Sequence, residues 1–471
     1  MLFNSYTFWA FYLLVFIGYW ALKHKHQNTL LLIASYIFYG AWDWKFLFLI
    51  LTSTVIDYFL AQKIDSAGSQ KNKKTVLGLS IFANLSILGF FKYYNFFSAE
   101  LNDIFLIIGI PSMLPTLDII LPVGISFYTF QTMSYSIDVY RNEIKPTRNF
   151  KDYALYVSFF PQLVAGPIER SSHLLPQVIQ ERKWEKDYFL EGLYLIFYGL
   201  FLKVVIADNM APISNYIFSK EATSLTSLEV LLGMYAFAFQ IYGDFAGYSS
   251  IARGIAKWLG FDLMVNFRMP YLANNPSDFW KRWHISLSSW FRDYVYIPLG
   301  GNRLGQLFSH RNLMITMFLS GLWHGAAWTY VLWGILHGAY LSIFNVFSNT
   351  RRNKTDSFVK VKKIVSIFIM FHLVCLGWLL FRAENINQVY EFVNKLFLFD
   401  VNSTVFFVGS ISIMAFYLLP LMMYELWMEK KGLMAVLSQK AWKQALFFTY
   451  IIMMLLFFPS PTEHEFIYFQ F

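Results

Sequence analysis

The chain has 471 residues, of which 57% are hydrophobic and only 14% are charged, and its mean hydropathy is +0.44. Soluble domains carry about 25% charged residues, so this composition excludes an ordinary soluble protein. The long continuous apolar runs also exclude a transmembrane β-barrel, whose strands alternate weakly over about ten residues. The net charge of +9 comes from basic residues in short loops, where they orient a membrane protein, and it does not indicate binding to nucleic acid.

Apolar runs close to the length of a bilayer span recur along the whole chain. The first, Thr7 to Leu22, has neither a charged segment before it nor a small-residue cleavage site after it, so we expect a retained span. The candidate spans are approximately 6–22, 28–42, 45–61, 75–97, 101–121, 122–140, 152–166, 188–208, 226–258, 312–347 (as two helices), 364–382, 404–426 and 441–459. The sequence thus predicts an all-α polytopic membrane protein with about 11–13 membrane-embedded helices.

Basic loops predict the orientation of the chain. The loops 63–74, 259–311 and 351–363 are rich in Lys and Arg and are expected on the cytoplasmic side; the last contains Arg351, Arg352 and Lys354. The tail contains Glu463, His464 and Glu465 without Lys or Arg, and we expect it outside. We find no internal repeat and no flexible linker, so residues 1–471 are predicted to form one domain, with its motifs between about 120 and 340.

The polar stretch before residue 300 contains the first candidate site. Asn275-Pro276-Ser277-Asp278 has the capping pattern of a helix start. The helix is expected to continue with one apolar face formed by Trp280, Trp283, His284, Leu287, Trp290 and Phe291. His284 on this face either orients a thioester or lines a tunnel, or it is a buried histidine hydrogen-bonded to a backbone carbonyl. We interpret the segment as an amphipathic helix at the cytoplasmic interface.

The second candidate is His324, in Ser320-Gly321-Leu322-Trp323-His324-Gly325-Ala326-Ala327. An ionisable ring at bilayer depth is expensive, and histidine is suited to moving a proton there, although a packing motif gives the same pattern. His337 is expected on a different face and outside the site. Asp244, also at membrane depth, is expected to pair with a basic group. The sequence has no metal-binding histidine spacing and no nucleophilic serine motif.

The chain carries five motifs in order: 122–131 (PVGISFYTFQ), 160–168 (FPQLVAGPI), 278–288 (DFWKRWHISLS), 290–294 (WFRDY) and 321–325 (GLWHG). Together they resemble the membrane-bound O-acyltransferase (MBOAT) superfamily, and in particular its bacterial branch that serves alginate O-acetylation. Relatives in that branch serve peptidoglycan or cellulose acetylation and teichoic-acid D-alanylation. The resemblance implies a ring of tilted helices around a central tunnel, in which a cytoplasmic thioester meets an acceptor hydroxyl from outside.

By this resemblance, His324 matches the catalytic histidine of the family and His284 its second polar position. The motif residues expected to contact substrate are Trp283, Trp290, Arg292, Asp293 and Trp323. The implied donor is acetyl-CoA, with no permanently bound cofactor and no metal. The implied partner is a separate extracytoplasmic, SGNH-hydrolase-like acetyltransferase, and the implied location is the bacterial cytoplasmic (inner) membrane, with several spans in the lipid bilayer.

The expected chemistry is transfer of an acetyl group to a hydroxyl, for O-acetylation of an extracytoplasmic polysaccharide such as alginate, peptidoglycan or cellulose. His324 acts either as general base or through an acyl-histidine. We expect Lys281, Arg282, Arg292 and Arg303 to attract the phosphates of the donor. Phe466, Tyr468, Phe469 and Phe471 of the tail are a candidate partner contact. The alternative is a transporter or flippase of an acyl donor or lipid-linked sugar.

Overall fold

The computed structural model describes residues 1–111, 113–164, 166–348, 359–402, 404–462 and 464–467. Every regular element in these ranges is helical: α-helices joined by short 3₁₀ and π segments. Several residues named above lie outside the described ranges: Ala165, Arg351, Arg352, Lys354, Glu463, Tyr468, Phe469 and Phe471. The described chain separates into two compact units, residues 1–192 with 252–264, and residues 193–251 with 265–471.

The first unit contains nine complete helices. They are α1 (Tyr6–Ala21), α2 (His24–Gly40), α3 (Leu47–Ser66), α4 (Gln70–Leu88), α5 (Tyr94–Ile107), α6 (Ile125–Tyr140), α7 (Phe150–Ser158), α8 (Phe160–Leu163) and α9 (Ser171–Ile179). A buried polar cluster ties three of them together: Asn84 on α4 donates to Asp57 on α3 over 2.7 Å, and Ser136 on α6 donates to the same carboxyl over 3.1 Å. Hydrogen bonds of this kind are required when a carboxyl group lies inside a membrane-embedded helix cluster.

The second unit contains most of the remaining helices, and α10 and α12 contribute residues to both units. These helices are α10 (Lys186–Leu200), α11 (Asp208–Phe218), α12 (Ser227–Trp258), α13 (Pro276–Trp280), α14 (Ile285–Phe291), α15 (Gln306–His324), α16 (Trp328–Ser348), α17 (Val359–Arg382), α18 (Ile386–Phe397), α19 (Val405–Lys431) and α20 (Ala441–Phe457). Two π segments, Phe201–Ala207 and Arg292–Tyr296, extend α10 and α14.

Six helical stretches of the described chain are long and apolar enough to cross a membrane: Trp44–Ser66, Gln70–Ile107, Lys186–Phe218, Trp328–Phe347, Val361–Arg382 and Val405–Lys431. The shorter helices α1 and α20 are also apolar. Large apolar side chains such as Leu14, Phe82 and Phe368 are exposed, as expected of helices whose outer faces contact lipid. The prediction of an all-α polytopic membrane protein is confirmed. Part of the larger number of expected segments corresponds to shorter helices such as α6 and α7.

The helix expected to run from Asn275 through Phe291 is broken, so that prediction was wrong. α13 ends at Trp280 and α14 begins at Ile285, after His284 in the left-handed backbone region at φ 42°. Hydrogen bonds to Asn266 replace the missing helical ones: its carbonyl oxygen accepts from the backbone N–H of Ile285 at 2.9 Å, and its side chain accepts from the Ser286 hydroxyl at 2.9 Å. These contacts turn the chain at His284, so the helical periodicity does not continue across it.

The segment 312–347 is two helices, as predicted, and α15 and α16 pack as an antiparallel hairpin. Their contact depends on two glycines. A Cβ atom at Gly321 would lie 2.3 Å from the carbonyl oxygen of Tyr330, and one at Gly334 would lie 2.3 Å from that of Met317. Only glycine allows the two backbones to come this close. The close contact brings the end of α15, where His324 lies, against the first turns of α16.

Candidate active site

His284 and His324 come together in the second unit although 40 positions separate them. Their ring centroids are 6.4 Å apart, with the ring planes inclined at 67°. His284 is 0% exposed and His324 is 3% exposed. The left-handed turn before α14 holds the first ring, and the last residue of α15 provides the second.

Aromatic side chains from four parts of the unit enclose the two histidines. Phe245 on α12 lies 4.6 Å from the His284 ring, and Trp323 lies 5.8 Å from it. Trp333 on α16 and Phe381 on α17 lie 4.9 and 5.3 Å from the His324 ring. Such a wall excludes water and strengthens any electrostatic interaction formed inside it.

The backbone of His284 is itself unusual. Its φ of 42° lies in the region that non-glycine residues adopt at a cost of about 1–3 kcal/mol, and such residues cluster at functional sites. Asn266 holds this conformation in place, and its amide also donates to the Ser249 hydroxyl over 3.1 Å. Long-range hydrogen bonds therefore fix the position of the His284 ring.

Burial lowers the pKa of His284 to about 3 from its ordinary value of 6.5, because the charged ring is poorly solvated. The folded protein therefore keeps this ring neutral while the unfolded chain binds a proton below about pH 6.5. Stability contributed by the neutral ring is present above that pH and is lost as the pH falls toward 3.

We expect this difference to appear as a pH slope of stability. Between pH 6 and 4, the free energy of unfolding of the wild type should fall faster than that of His284→Asn, by roughly 1.4 kcal/mol per pH unit. Asparagine also tolerates the left-handed backbone, so the comparison isolates the titrating ring. Thermal unfolding in detergent across this range measures both slopes, and parallel slopes would contradict the assignment.

The residues predicted to contact substrate fall into two groups, three buried tryptophans and one arginine–aspartate pair. Trp323 lies against the His284 ring, while Trp283 is buried behind it and stacks on Phe279 at 5.9 Å. Trp290 packs against Tyr294 at 5.1 Å. Arg292 is 62% exposed in its side chain and forms an ion pair with Asp293 at 2.7 Å. The tryptophans thus belong to the aromatic core of the unit, whereas the Arg292–Asp293 pair lies at the π turn after α14.

A cavity of about 360 Å³, here called the serine-lined cavity, leads toward His324 from one side. Its walls include Ser277, Trp280, Lys281, Ser288, Ser289, Arg292, Thr316, Met317, Ser320 and Leu341. Ser320 lies one helical turn before His324 on α15, so the cavity reaches the neighbourhood of that ring. Lys281 and Arg292 place positive charge at its wall.

Arg282 does not contribute to that charge, contrary to the sequence prediction. Its guanidinium bonds to Asp278 at 2.9 Å and to both carboxylate oxygens of Glu429 at 2.8 and 2.9 Å. These interactions raise the pKa of Arg282 above its already high value. A bidentate carboxylate pair occupies the donors that a phosphate would need, so Arg282 is a structural link between α13 and α19.

A second cavity of about 520 Å³, here called the charged cavity, lies near the start of α16. Its lining residues are Asn215, Gln240, Ala327, Thr329, Tyr330, Phe381, Arg382, Ala383, Glu384, His464, Glu465 and Ile467. Tyr330 lies near the start of α16 and Leu341 lies eleven residues later. They are therefore about 16 Å apart along the helix. Phe381, in the wall of the charged cavity, also contacts the His324 ring. The two cavities therefore meet α16 at different levels, and Phe381 joins the wall of the charged cavity to the His324 ring.

In the described part of the tail, residues 464–467, Phe466 and Ile467 are buried. Phe466 is 0% exposed and packs on Tyr248 at 4.4 Å, so its predicted availability for a partner was wrong. The Asp244 carboxylate accepts from the Ile467 backbone N–H at 2.6 Å and pairs with Lys203 at 2.7 Å. The predicted structural pairing of Asp244 is thus confirmed, and this pair anchors the tail.

Sequence reasoning missed Trp333 and Phe381, which contact His324 directly. Trp333-Gly334 lies next to the noted His337, but no spacing rule indicates that α16 folds back onto α15 at this register. Phe381 lies 57 positions after His324, and only the tertiary fold brings them together. Among the described residues, no group of three or more His, Cys, Asp or Glu side chains is arranged to hold a metal ion.

Comparison with known proteins places this geometry in a family. The model of the MBOAT, membrane-bound O-acyltransferase family matches residues 29–383. The chain is 41% identical over 401 residues to a probable alginate O-acetylase AlgI of Azotobacter vinelandii, which covers 85% of this chain and 78% of that protein. It is 40% identical over 420 residues to a peptidoglycan O-acetyltransferase of Helicobacter pylori, covering 82% and 78%. It is 29% identical over 281 residues to a teichoic acid D-alanyltransferase of Bacillus subtilis, covering 56% and 69%.

The match covers both histidines and most of the helices described above. An O-acyltransferase requires an acyl donor and a hydroxyl acceptor. The chain therefore belongs to the membrane-bound O-acyltransferase family and is a multi-pass membrane O-acyltransferase.

Proposed function

We propose that this protein takes an acetyl group from acetyl-CoA on the cytoplasmic side of the bacterial inner membrane and passes it to a hydroxyl acceptor on the other side. The product is an O-acetylated extracytoplasmic polysaccharide of the alginate type, with peptidoglycan and cellulose as related possibilities. Relatives named for alginate and peptidoglycan O-acetylation, at 41% and 40% identity, support the acetyl group and the polymer class. A separate SGNH-hydrolase-like transferase completes the transfer to the polymer.

The observation that carries this proposal is that two cavities have walls close to His324, one through Ser320, a helical turn away, and the other through Phe381, which contacts the ring. The serine-lined cavity lies toward the end of α16, where the chain continues into the basic sequence 351–363. The positive-inside bias assigns that end to the cytoplasm. The charged cavity lies at the start of α16, next to a tail without Lys or Arg. A thioester and a hydroxyl can thus reach one ring from opposite sides.

The proposed chemistry needs one neutral imidazole. His324 accepts the proton of the acceptor hydroxyl while the hydroxyl oxygen attacks the thioester carbonyl carbon. The carbon–sulfur bond then breaks, and His324 returns the proton to the thiolate leaving group, so no net proton is consumed. General-base catalysis of this kind contributes roughly 10²–10⁴-fold. His284, held neutral by burial, orients the thioester beside it.

The donor is proposed to dock at the serine-lined cavity. Lys281 is exposed there and Arg292 has a largely exposed side chain, so both are accessible to the phosphates of CoA. The Arg292 guanidinium already pairs with Asp293, so Lys281 is the stronger phosphate contact. Charge-assisted hydrogen bonds to phosphate are about twice as strong as neutral ones.

Filling each cavity separately tests this two-sided arrangement. Ser277→Trp places a large ring in the serine-lined cavity, and Ala327→Trp does the same in the charged cavity. Both positions are half-buried, which leaves room for adjustment. We expect Ser277→Trp to reduce acetyl-CoA consumption with or without acceptor. Ala327→Trp should reduce transfer to acceptor and leave the slow hydrolysis of acetyl-CoA close to that of the wild type.

Purified protein in detergent, assayed for free CoA release and for acetyl ester formation, gives both rates. Size-exclusion profiles identical to that of the wild type confirm that each variant is folded. The arrangement would be contradicted if both variants lost hydrolysis and transfer in the same proportion, because one shared approach would then serve donor and acceptor.

A further inference from the structure

Three neighbouring side chains at or near the serine-lined cavity have buried nitrogen atoms without a hydrogen-bond partner among the described residues. They are Trp280 and Trp333, through the indole Nε1, and His337, through both Nδ1 and Nε2. Buried polar atoms in folded proteins almost always have a partner, and leaving one unsatisfied costs roughly 1–3 kcal/mol. Four such atoms in adjacent rings therefore indicate that a shared molecule provides their hydrogen-bond partners.

The three rings form one contiguous cluster. His337 lies 5.2 Å from Trp280 and 4.8 Å from Trp333, and the two indoles are 5.8 Å apart. Trp280 lines the serine-lined cavity, and Trp333 lies 4.9 Å from the His324 ring. The cluster thus extends from the cavity wall to the proposed catalytic histidine, alongside the path that a donor must follow.

Packing alone does not account for these residue types. Phenylalanine at the three positions would fill the core without burying four polar atoms. The fold also makes room for the His337 ring, because a Cβ atom at Gly377 on α17 would lie only 2.8 Å from its Nε2 atom. Trp333 and His337 are buried and Trp280 lines the cavity, so partners for these nitrogen atoms come from a bound molecule or from ordered water.

We propose that this cluster, Trp280, Trp333 and His337, binds the amide groups of the pantetheine arm of the thioester donor. The inference rests on the proposed function, since it assumes a donor that enters through the serine-lined cavity. An indole N–H donates to an amide carbonyl, and a neutral imidazole both accepts from an amide N–H and donates through its other nitrogen. A pantetheine arm carries two amides ahead of its sulfur, and the cluster offers four ring nitrogen atoms to these amides in otherwise apolar surroundings. The cluster thereby selects pantetheine thioesters over simple ones.

Donors with different numbers of amides test this selection. The donors are acetyl-CoA with two amides in its arm, S-acetyl-N-acetylcysteamine with one, and S-ethyl thioacetate with none. The variants Trp280→Phe and His337→Phe keep a ring and remove the nitrogen atoms. For each variant, we expect the ratio of kcat/KM for acetyl-CoA to that for S-ethyl thioacetate to fall roughly tenfold, with an intermediate change for the one-amide donor.

Trp258→Phe is the matched control, because its indole N–H donates to the Phe189 carbonyl at 2.9 Å within the first unit. This variant should keep the wild-type ratio. An unchanged ratio in both Trp280→Phe and His337→Phe would overturn the proposed subsite and assign the rings to packing. The wild type alone tests the proposed function. If it consumed none of the three thioesters, the proposal that the donor is a thioester would be wrong, whatever the role of the cluster.

Discussion

His324→Ala should reduce acetyl transfer by at least 10²-fold, and up to about 10⁴-fold, while the protein still inserts and folds. The His324 ring contacts both Trp333 and Phe381, and Phe381 also lines the charged cavity. Removing it leaves the acceptor hydroxyl without a group to take its proton. The rate of acetyl ester formation from labelled acetyl-CoA in proteoliposomes measures the effect.

His310→Ala is the matched control for that experiment. His310 lies on the same helix, α15, but 14 residues earlier, or about 21 Å along the helix axis. It should retain transfer close to the wild-type rate. Normal transfer by His324→Ala, at equal protein levels and with an unchanged thermal unfolding temperature, would remove His324 from the mechanism.

The largest effect on stability is expected for Lys203→Met. The Lys203 ammonium lies 2.8 Å from Asp208 and 2.7 Å from Asp244, with only 1% of its side chain exposed. It also donates to the backbone carbonyl of His464 at 2.9 Å. Removing one member of a buried charge cluster leaves the others uncompensated and typically costs about 3–5 kcal/mol. The same substitution removes a contact that holds the tail, so protease sensitivity near residue 464 should increase.

Lys145→Met is the control for charge removal, since Lys145 pairs with Asp65 at 3.2 Å but has 82% of its side chain exposed. Exposed pairs contribute less than about 1 kcal/mol. Denaturant unfolding in detergent gives the free energy of unfolding for both variants. Equal losses in Lys203→Met and Lys145→Met would show that the buried cluster is not a principal support of the second unit.

The sequence was informative where the signal is local or carried by motifs. Apolar runs identified the polytopic all-α class, and the small residues around His324 indicated close helix packing, which the Gly321–Gly334 contact confirms. The membrane-depth carboxyl group of Asp244 implied a basic partner because an unpaired charge there is too costly, and Lys203 is that partner. In these cases a physical constraint on one segment is enough to make the prediction.

The failures have a common cause in long-range contacts. The helix through His284 is interrupted because Asn266, 18 residues away, provides alternative hydrogen bonds. Arg282 is not available to phosphate because Glu429, 147 residues away, binds it through two oxygens. Phe466 is buried rather than exposed. Neither periodicity nor loop charge contains information about such partners.

If the protein passes only the acetyl group across the membrane, CoA stays on the cytoplasmic side, and a double-label experiment follows the two parts of the donor separately. Sealed inside-out membrane vesicles from cells producing the protein receive acetyl-CoA with ¹⁴C in the acetyl group and ³H in the CoA. We predict that ¹⁴C accumulates in the lumen as base-labile ester while ³H remains outside, and that His324→Ala vesicles show no such accumulation. Entry of both labels together would contradict transfer of the acetyl group alone and would indicate a transporter of the intact donor.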